Sequence, residues 1–281
     1  MKIISNIMGG LGNQMFQYAC GRAIAHRLGA AFYLDLRWFN EGNREFMLDT
    51  FPNIHHSSWE PSIVEKILRR IKIYTVHYIQ EPDYSYWQGI EHIISSAHLS
   101  GYWQNEKYFS NITDIIKKDF NFPEFSSSEA ENIAQKIKSF SCSVSIHVRR
   151  GDYVENQEVN QVHGICSLEY YEKALQIIAD KEKRALELYI FSDDPEWIRD
   201  NFNTHGYSSI IVDIPQHKKA PFHDMHLMSL CRHHVLANSS FSWWGAWLSD
   251  NNGITIAPRR WFAEKTMSHH NPSPETWIII E

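Results

Sequence analysis

Two guanidinium groups, an imidazole and a carboxylate crowd the end of one apparent strand, Ser143-Val-Ser-Ile-His-Val-Arg-Arg-Gly-Asp152. Val144, Ile146 and Val148 alternate with Ser143, Ser145, His147 and Arg149, and successive strand residues point to opposite faces. His147 and Arg149 therefore share a face, and Arg150 points to the other. Gly151 then lets the chain turn. Arginine grips phosphate with a planar fork of donors and keeps its charge, so the pattern reads as a nucleotide-diphosphate site. The plainer reading, a solvated arginine patch followed by a common Arg-Gly-Asp tripeptide, is opposed by position. In open α/β sheets, ligands bind outside the carboxyl ends of the strands.

Three other clusters could join it. Gly9-Gly-Leu-Gly12 leads into a helix, where backbone N–H groups attract anions and polar ligands. Gly10 and Gly12 fit the first two positions of a dinucleotide fingerprint, but Met15 occupies the third, so that match is weak. Asn13 and Gln14 place two amides in the first helical turn, suited to bonding a sugar or phosphate. Asn238-Ser-Ser-Phe-Ser242 follows a strand and opens a helix, so Ser239 and Ser240 with the helix N–H groups suit a phosphate, against the alternative of a plain serine cap. The glycosylation pattern at Asn238 is set aside because the strand end should be buried. Asp224 opens another helix, either as a cap or as a carboxylate reading the N1 and N2 edge of guanine. Asp193 and Asp194 resemble a metal motif, yet they are adjacent and precede Pro195, which favours a structural network. Trp243, Trp244 and Trp247 have core-like spacing.

These motifs need a scaffold, and the rest of the chain supplies its outline. It has 281 residues, 43% hydrophobic and 14% aromatic, with a net charge of −6. That suits one large or two ordinary globular domains and excludes disorder. Nothing basic overall points to nucleic acid. Cys20, Cys142, Cys166 and Cys231 are dispersed, which argues against a zinc ribbon or disulfide framework and suits a reducing compartment. Sixteen histidines show no metal-ligand spacing. With no signal-peptide pattern and no apolar run of about 20 residues, a cytoplasmic protein is expected. The basic, apolar stretch Lys66–Ile73 could rest on an anionic membrane, although a surface helix is the blander reading.

Strands are predicted at Ile3–Ile7, Ala31–Leu34, Val144–Val148, Glu187–Phe191, Ser209–Val212, Val235–Ala237 and Gly253–Ala257. Helices are predicted at Asn13–Leu28, closed by Gly29, and at Ile112–Phe120, Glu129–Lys138, Leu168–Lys181, Glu196–Phe202, Asp224–Cys231 and Ser242–Leu248. Residues 40–95 have no legible period. The alternation implies parallel sheets with helices on both faces, in two domains with a site in the cleft. The Phe122–Ser128 loop is one plausible break.

Taken together, Gly9-Gly-Leu-Gly-Asn-Gln-Met-Phe-Gln-Tyr-Ala19, His147-Val-Arg-Arg-Gly-Asp-Tyr153, Phe191-Ser-Asp-Asp194 and Asn238-Ser-Ser-Phe-Ser-Trp-Trp-Gly245 resemble the bacterial α-1,2-fucosyltransferases of glycosyltransferase family 11. The resemblance implies a GT-B-like α/β fold, two Rossmann-like domains facing a cleft. It implies an acceptor-side domain at 1–140 and a GDP-fucose-binding domain at 141–281. It further implies GDP-L-fucose as donor, a terminal β-galactoside fucosylated at O2 as acceptor, and no metal or other cofactor. Arg149 would hold the β-phosphate, His147 the nucleotide or ribose, Asp224 guanine, and Ser239 and Ser240 phosphate, while Asn13 would face the fucose. Arg150, Gly10, Gly12 and Gln14 complete the expected binding set.

Transfer should invert the anomeric centre through an oxocarbenium-like transition state, with Arg149 and the Ser240 helix terminus stabilising the leaving diphosphate. Asp152 is ranked first as base for the acceptor hydroxyl, ahead of Glu155 and Glu158. A salt bridge to Arg150 is its plainer role. Peripheral contact with the inner membrane is a further expectation. A transferase of other linkage or acceptor, and a non-catalytic glycan-binding protein, are the competing readings.

Overall fold

The structure, a computed structural model, describes residues 1–42, 44–70, 76–151, 164–264, 267 and 270–281. It divides into two units, Met1–Pro123 and Glu124–Glu281.

In the first unit the chain runs β1 (Lys2–Asn6), α1 (Leu11–Leu28), β2 (Ala31–Asp35), β3 (Ser57–Ser58), α2 (Ile63–Arg70), β4 (His77–Gln80), β5 (Ala97–Ser100) and α3 (Thr113–Asp119). The sheet is parallel, in the order β3-β2-β1-β5-β4. Residues Met15, Phe16, Ala19, Cys20, Ala23 and Ile24 of α1 are all buried; burying a residue the size of Met15 or Phe16 contributes about 1.5–3 kcal/mol. The helix lies close on the sheet because Gly21 has no side chain. A Cβ there would stand 2.0 Å from Ser5 Oγ and 2.6 Å from the Phe32 ring. Gly29, at φ 58°, ends the helix in the left-handed conformation that glycine adopts without strain.

The second unit runs α4 (Ser128–Ser139), β6 (Ser143–Val148), α5 (Leu168–Glu182), β7 (Glu187–Ser192), α6 (Pro195–Asn201), β8 (Ser208–Val212), α7 (Phe222–Leu230), β9 (His233–Val235), α8 (Ser240–Trp247), β10 (Thr255–Pro258) and β11 (Ile278–Ile280). Its sheet is parallel in the order β11-β10-β9-β6-β7-β8, the doubly wound order of dinucleotide-binding folds. The domain break expected after residue 140 falls instead at Pro123. Helix α4 belongs to the second unit because Ala130, Ile133, Ala134 and Ile137 bury against Leu227, Met228 and Cys231 of the α7 segment.

Strand β6 is buried along its whole length, as the central strand of a parallel sheet should be. Its alternation therefore separates two interiors rather than core from solvent. Val144, Ile146 and Val148 pack with Tyr170, Tyr171, Leu175 and Ile178 of α5. On the polar side, Ser145 Oγ bonds His234 Nδ1 at 2.9 Å. Most buried polar groups are partnered; this bond satisfies Ser145 Oγ and His234 Nδ1, while His234 Nε2 makes no hydrogen bond among the described residues.

Candidate active site

Both sheets reverse their strand order at the first strand. In the second unit, the chain lays β7 and β8 on one side of β6 and returns to place β9 on the other. The crevice at such a reversal, beyond the carboxyl ends, is where open α/β sheets receive ligands. Arg149 and Arg150 leave β6 there, and Ser239 and Ser240 follow β9.

Arg149 Nη1 lies 2.9 Å from Asp193 Oδ2, and the Arg150 backbone N–H donates to Asp193 Oδ1 at 2.8 Å. Arg150 lies 3.4 Å from Asp194 through Nε, with its guanidinium 3.6 Å from the centre of the Trp197 ring. Asp194 also caps α6 through the Trp197 N–H. The adjacent aspartates thus form the expected network, and among the described residues Asp194 is the carboxylate that holds Arg150. Gly151 completes the turn at close quarters: a Cβ would come within 2.7 Å of Asp193 Oδ2. Asp152, Glu155 and Glu158 lie outside the described residues.

His147 is buried behind Arg149, 5.8 Å from the Phe241 ring. Burial and the neighbouring guanidinium push its pKa down to about 4, against a smaller upward pull from Asp193. It is neutral at pH 7, and its Nδ1 has no hydrogen-bond partner among the described residues. Ser239 caps α8, accepting from the Phe241 N–H at 3.3 Å, and Ser240 begins that helix. Asn238 is buried, with its amide donating to the carbonyls of Gly164 and Trp261. Trp243 and Trp244 are core.

Asp224 belongs to another cluster. It lies in the first turn of α7 without capping it, and its carboxylate bonds His217 Nδ1. Burial raises its pKa, and His217 opposes the rise. Nearby, His223 bonds Ser126 at 3.1 Å and His226 stacks on Phe125 at 4.3 Å. The carboxylate expected for guanine is present, held by an imidazole that the sequence reading did not connect to it.

In the first unit the reversal lies between β1 and β5, and the loops leaving those strands meet there. Gln104 Nε2 donates to Asn13 Oδ1 at 2.8 Å. Gly10 is the N-terminal cap of α1, its carbonyl accepting from the Asn13 and Gln14 N–H groups, and Gly12 is buried in the first turn. Gln14 requires a correction. Its side chain is fully buried, donating to the carbonyls of Gly9 and Glu45 and accepting from the Met47 N–H. It ties a loop to the helix start instead of presenting an amide to ligand.

Glu81, beyond β4, had no motif to announce it. It accepts from the Tyr102 and Trp103 N–H groups at 2.6 and 2.9 Å, bracing Trp103 at a φ of 55°. Gly101 makes room: a Cβ there would sit 2.3 Å from Glu81 Cβ. Burial pushes the Glu81 pKa up to about 7, although the two N–H donors oppose the rise.

Cys142, Glu182 and His233 bring their ligand atoms within 4.8 Å of one another, a grouping too dispersed for sequence spacing to reveal. It lies at the amino ends of β6 and β9, opposite the arginines. His233 Nδ1 accepts the Ile254 N–H at 3.0 Å, so the neutral ring carries its proton on Nε2, toward Glu182 at 3.5 Å. Arg232 supplies a cation at 3.7 Å from the same carboxylate. The group reads as an ion network around Glu182, in which the buried His233 Nε2 makes no hydrogen bond among the described residues.

Two parallel α/β units, with a basic and hydroxyl-bearing edge on one and amides on the other, are the parts of a GT-B glycosyltransferase. The fold resembles NodZ alpha-1,6-fucosyltransferase soaked with GDP-fucose (TM-score 0.50, 14% identity, 88% of this chain and 92% of that one). It also resembles an Arabidopsis thaliana FUT1 structure in complex with GDP (TM-score 0.51, 12% identity, 96% and 74%). The chain belongs to glycosyl transferase family 11, which it matches over residues 3–281. It is 34% identical to an Escherichia coli alpha-1,2-colitosyltransferase, with 99% of each chain covered. It is 30% identical to the Escherichia coli O-antigen biosynthesis glycosyltransferase WbnK, covering 98% of this chain and 99% of the relative. More distant is a Bos taurus galactoside 2-alpha-L-fucosyltransferase, 25% identical over 90% of this chain and 66% of its own. Among the described residues, no helix is long and apolar enough to cross a membrane.

Proposed function

We propose that this glycosyltransferase moves L-fucose from GDP-β-L-fucose to O2 of a terminal β-galactoside, inverting the anomeric centre without a metal. The observation that carries the reading is the strand-order reversal in the second unit, with Arg149 after β6 and Ser239 and Ser240 after β9. As the donor bond breaks, charge develops on the departing diphosphate. Arg149, held by Asp193, meets that charge with fixed N–H donors, and preorganised donors need no rearrangement during the reaction. His147 stays neutral and can bond the nucleotide without adding a competing charge. Asp224, on its His217 support, accepts from guanine. Asn13, joined to Gln104, faces the sugar.

Asp152 is assigned the acceptor proton. Glu81 is the second candidate, favoured by a pKa near 7, where a general base works best. A second donor is favoured by the similarity to the colitosyltransferase: colitose is L-fucose without its 3-hydroxyl. Incubation with lactose and either GDP-fucose or GDP-colitose in EDTA, with the product linkage read by NMR, tests the assignment. An α-1,2-fucosyl-lactose product that is lost in Arg149→Ala is the expected result. Transfer from GDP-colitose alone replaces the donor, and nucleotide binding without transfer to any galactoside overturns the reaction.

A further inference from the structure

Several of the chain's most exposed large apolar side chains gather at one place, away from the candidate site. Ile63, Val64 and Ile67 of α2 are 76%, 63% and 54% exposed, Ile94 is 78% exposed, and Met1 is 65% exposed. Their neighbourhood is set by Lys2, the first residue of β1. Its backbone N–H donates to Ser96 Oγ at 3.0 Å, two residues beyond Ile94, and its Nζ reaches Glu65 of α2 at 2.5 Å. These residues therefore surround the amino end of the first sheet, whereas Asn13, Gln104 and Glu81 stand at its carboxyl end.

The orientation of α2 is the unusual part. At 100° per residue, Ile63, Ile67 and Val64 fall within one arc, and Glu65, tied to Lys2, lies on a different side. A surface helix normally turns its apolar arc inward. Here the inner layer over the sheet is made by Ile4, Trp59 and Val76, and none of the described α2 side chains is buried. The sequence of α2 also holds Lys66, Arg69 and Arg70 against one carboxylate, a local excess of cations in a chain whose net charge is −6. An exposed apolar arc of Ile63, Val64 and Ile67 on a helix whose sequence is rich in cations matches the two forces at an anionic lipid surface, burial among acyl chains and attraction to the headgroups.

We infer that α2, with Ile94 and Met1 beside it, docks this protein on an anionic membrane surface. A second protein would explain the apolar arc equally well. The basic residues favour lipid, because attraction to a negatively charged leaflet is what they add.

The test is flotation of the full chain with phosphatidylcholine vesicles prepared with and without phosphatidylglycerol. It compares the unaltered protein with an Ile63→Ser, Val64→Ser, Ile67→Ser variant and, separately, an Arg69→Glu, Arg70→Glu variant. Thermal melting and light scattering monitor fold and oligomeric state. The expected result is binding to the phosphatidylglycerol vesicles that weakens about tenfold or more in either variant and falls with added salt, with melting unchanged. No binding, equal binding to neutral vesicles, or binding indifferent to the apolar variant overturns the inference. So does a dimer of the unaltered protein that the apolar variant dissociates, which would identify a second copy as the occupant.

Discussion

At the reversal between β6 and β9, the strand ends carry guanidinium groups and hydroxyls. At the reversal between β1 and β5, they carry neutral amides and aromatic rings, and Glu81, beyond the neighbouring β4, adds one carboxyl poised near pH 7. The topology is shared and the chemistry is opposite. A site that stabilises a departing diphosphate must hold permanent charge, and here Asp193 and Asp194 hold the guanidinium groups in place. A site that orients an uncharged sugar, the role proposed for the first unit, gains from donors and acceptors of fixed direction, and the Asn13–Gln104 pair is of that kind. The strand-order reversal selects where a ligand sits, and the residues just past the strand ends select which ligand.

The contrast breaks most visibly at Arg149. Arg149→Ala should lower kcat by about 100-fold or more while the protein stays folded by circular dichroism. A loss under tenfold would place the diphosphate elsewhere. The next effect belongs to the other edge. Burial lifts the Glu81 pKa to about 7 in the fold, from the ordinary glutamate value of 4.5, so the folded state binds this proton more tightly than the unfolded chain. Its contribution to stability is complete below pH 4.5 and is withdrawn as pH rises toward 7, by on the order of 3 kcal/mol. Urea unfolding across that range should show the slope in the unaltered protein and lack it in Glu81→Gln.

Asp224→Asn should weaken GDP binding by about tenfold or more, as expected for a charge-assisted hydrogen bond, and narrow the preference for GDP over ADP in calorimetry. An unchanged preference would remove Asp224 from guanine recognition. The smallest effect is expected at Gln104→Ala, which removes one neutral hydrogen bond to Asn13. It is worth about 1 kcal/mol and should appear as a several-fold rise in acceptor KM with donor KM unchanged. A kcat loss rivalling that of Arg149→Ala would erase the distinction between the two edges.

Much of the second unit was legible from sequence because strong local signals bounded its elements. Pro195 and Asp194 opened α6, Ser239 opened α8, and the alternation through Val144, Ile146 and Val148 marked β6. The first unit was legible as far as Asp35 and again at the helix predicted over Ile112–Phe120, which is α3, but not between them. Strand β3 is two exposed serines, and most residues of β4 are exposed, so neither shows an apolar period. Ile278–Ile280 was passed over because a three-residue apolar run carries no periodicity of its own.

The motifs singled out Arg149, Asn13 and Ser239 from residue type and chain position alone. They could not find Gln104, Glu81 or His217, which matter through partners 91, 21 and 7 residues away. Gln14 shows the reverse error. An amide in the first turn of a helix suggests ligand until the backbone atoms of Gly9, Glu45 and Met47 are found around it.

The reversal of strand order also governs how the chain can fold. Strand β6 pairs with β9 through Val144 and His233, and β1 pairs with β5 through Ile3 and Ala97. In each unit the earliest strand is the central one, and one of its edges stays unpaired until a distant segment returns. Closing such long loops costs entropy before any contact repays it. During synthesis β6 therefore waits with a row of open backbone groups, a template for the wrong partner. Slower translation at low temperature, which gives each central strand time to meet its own neighbour, should raise the yield of folded protein more than any change to its surface.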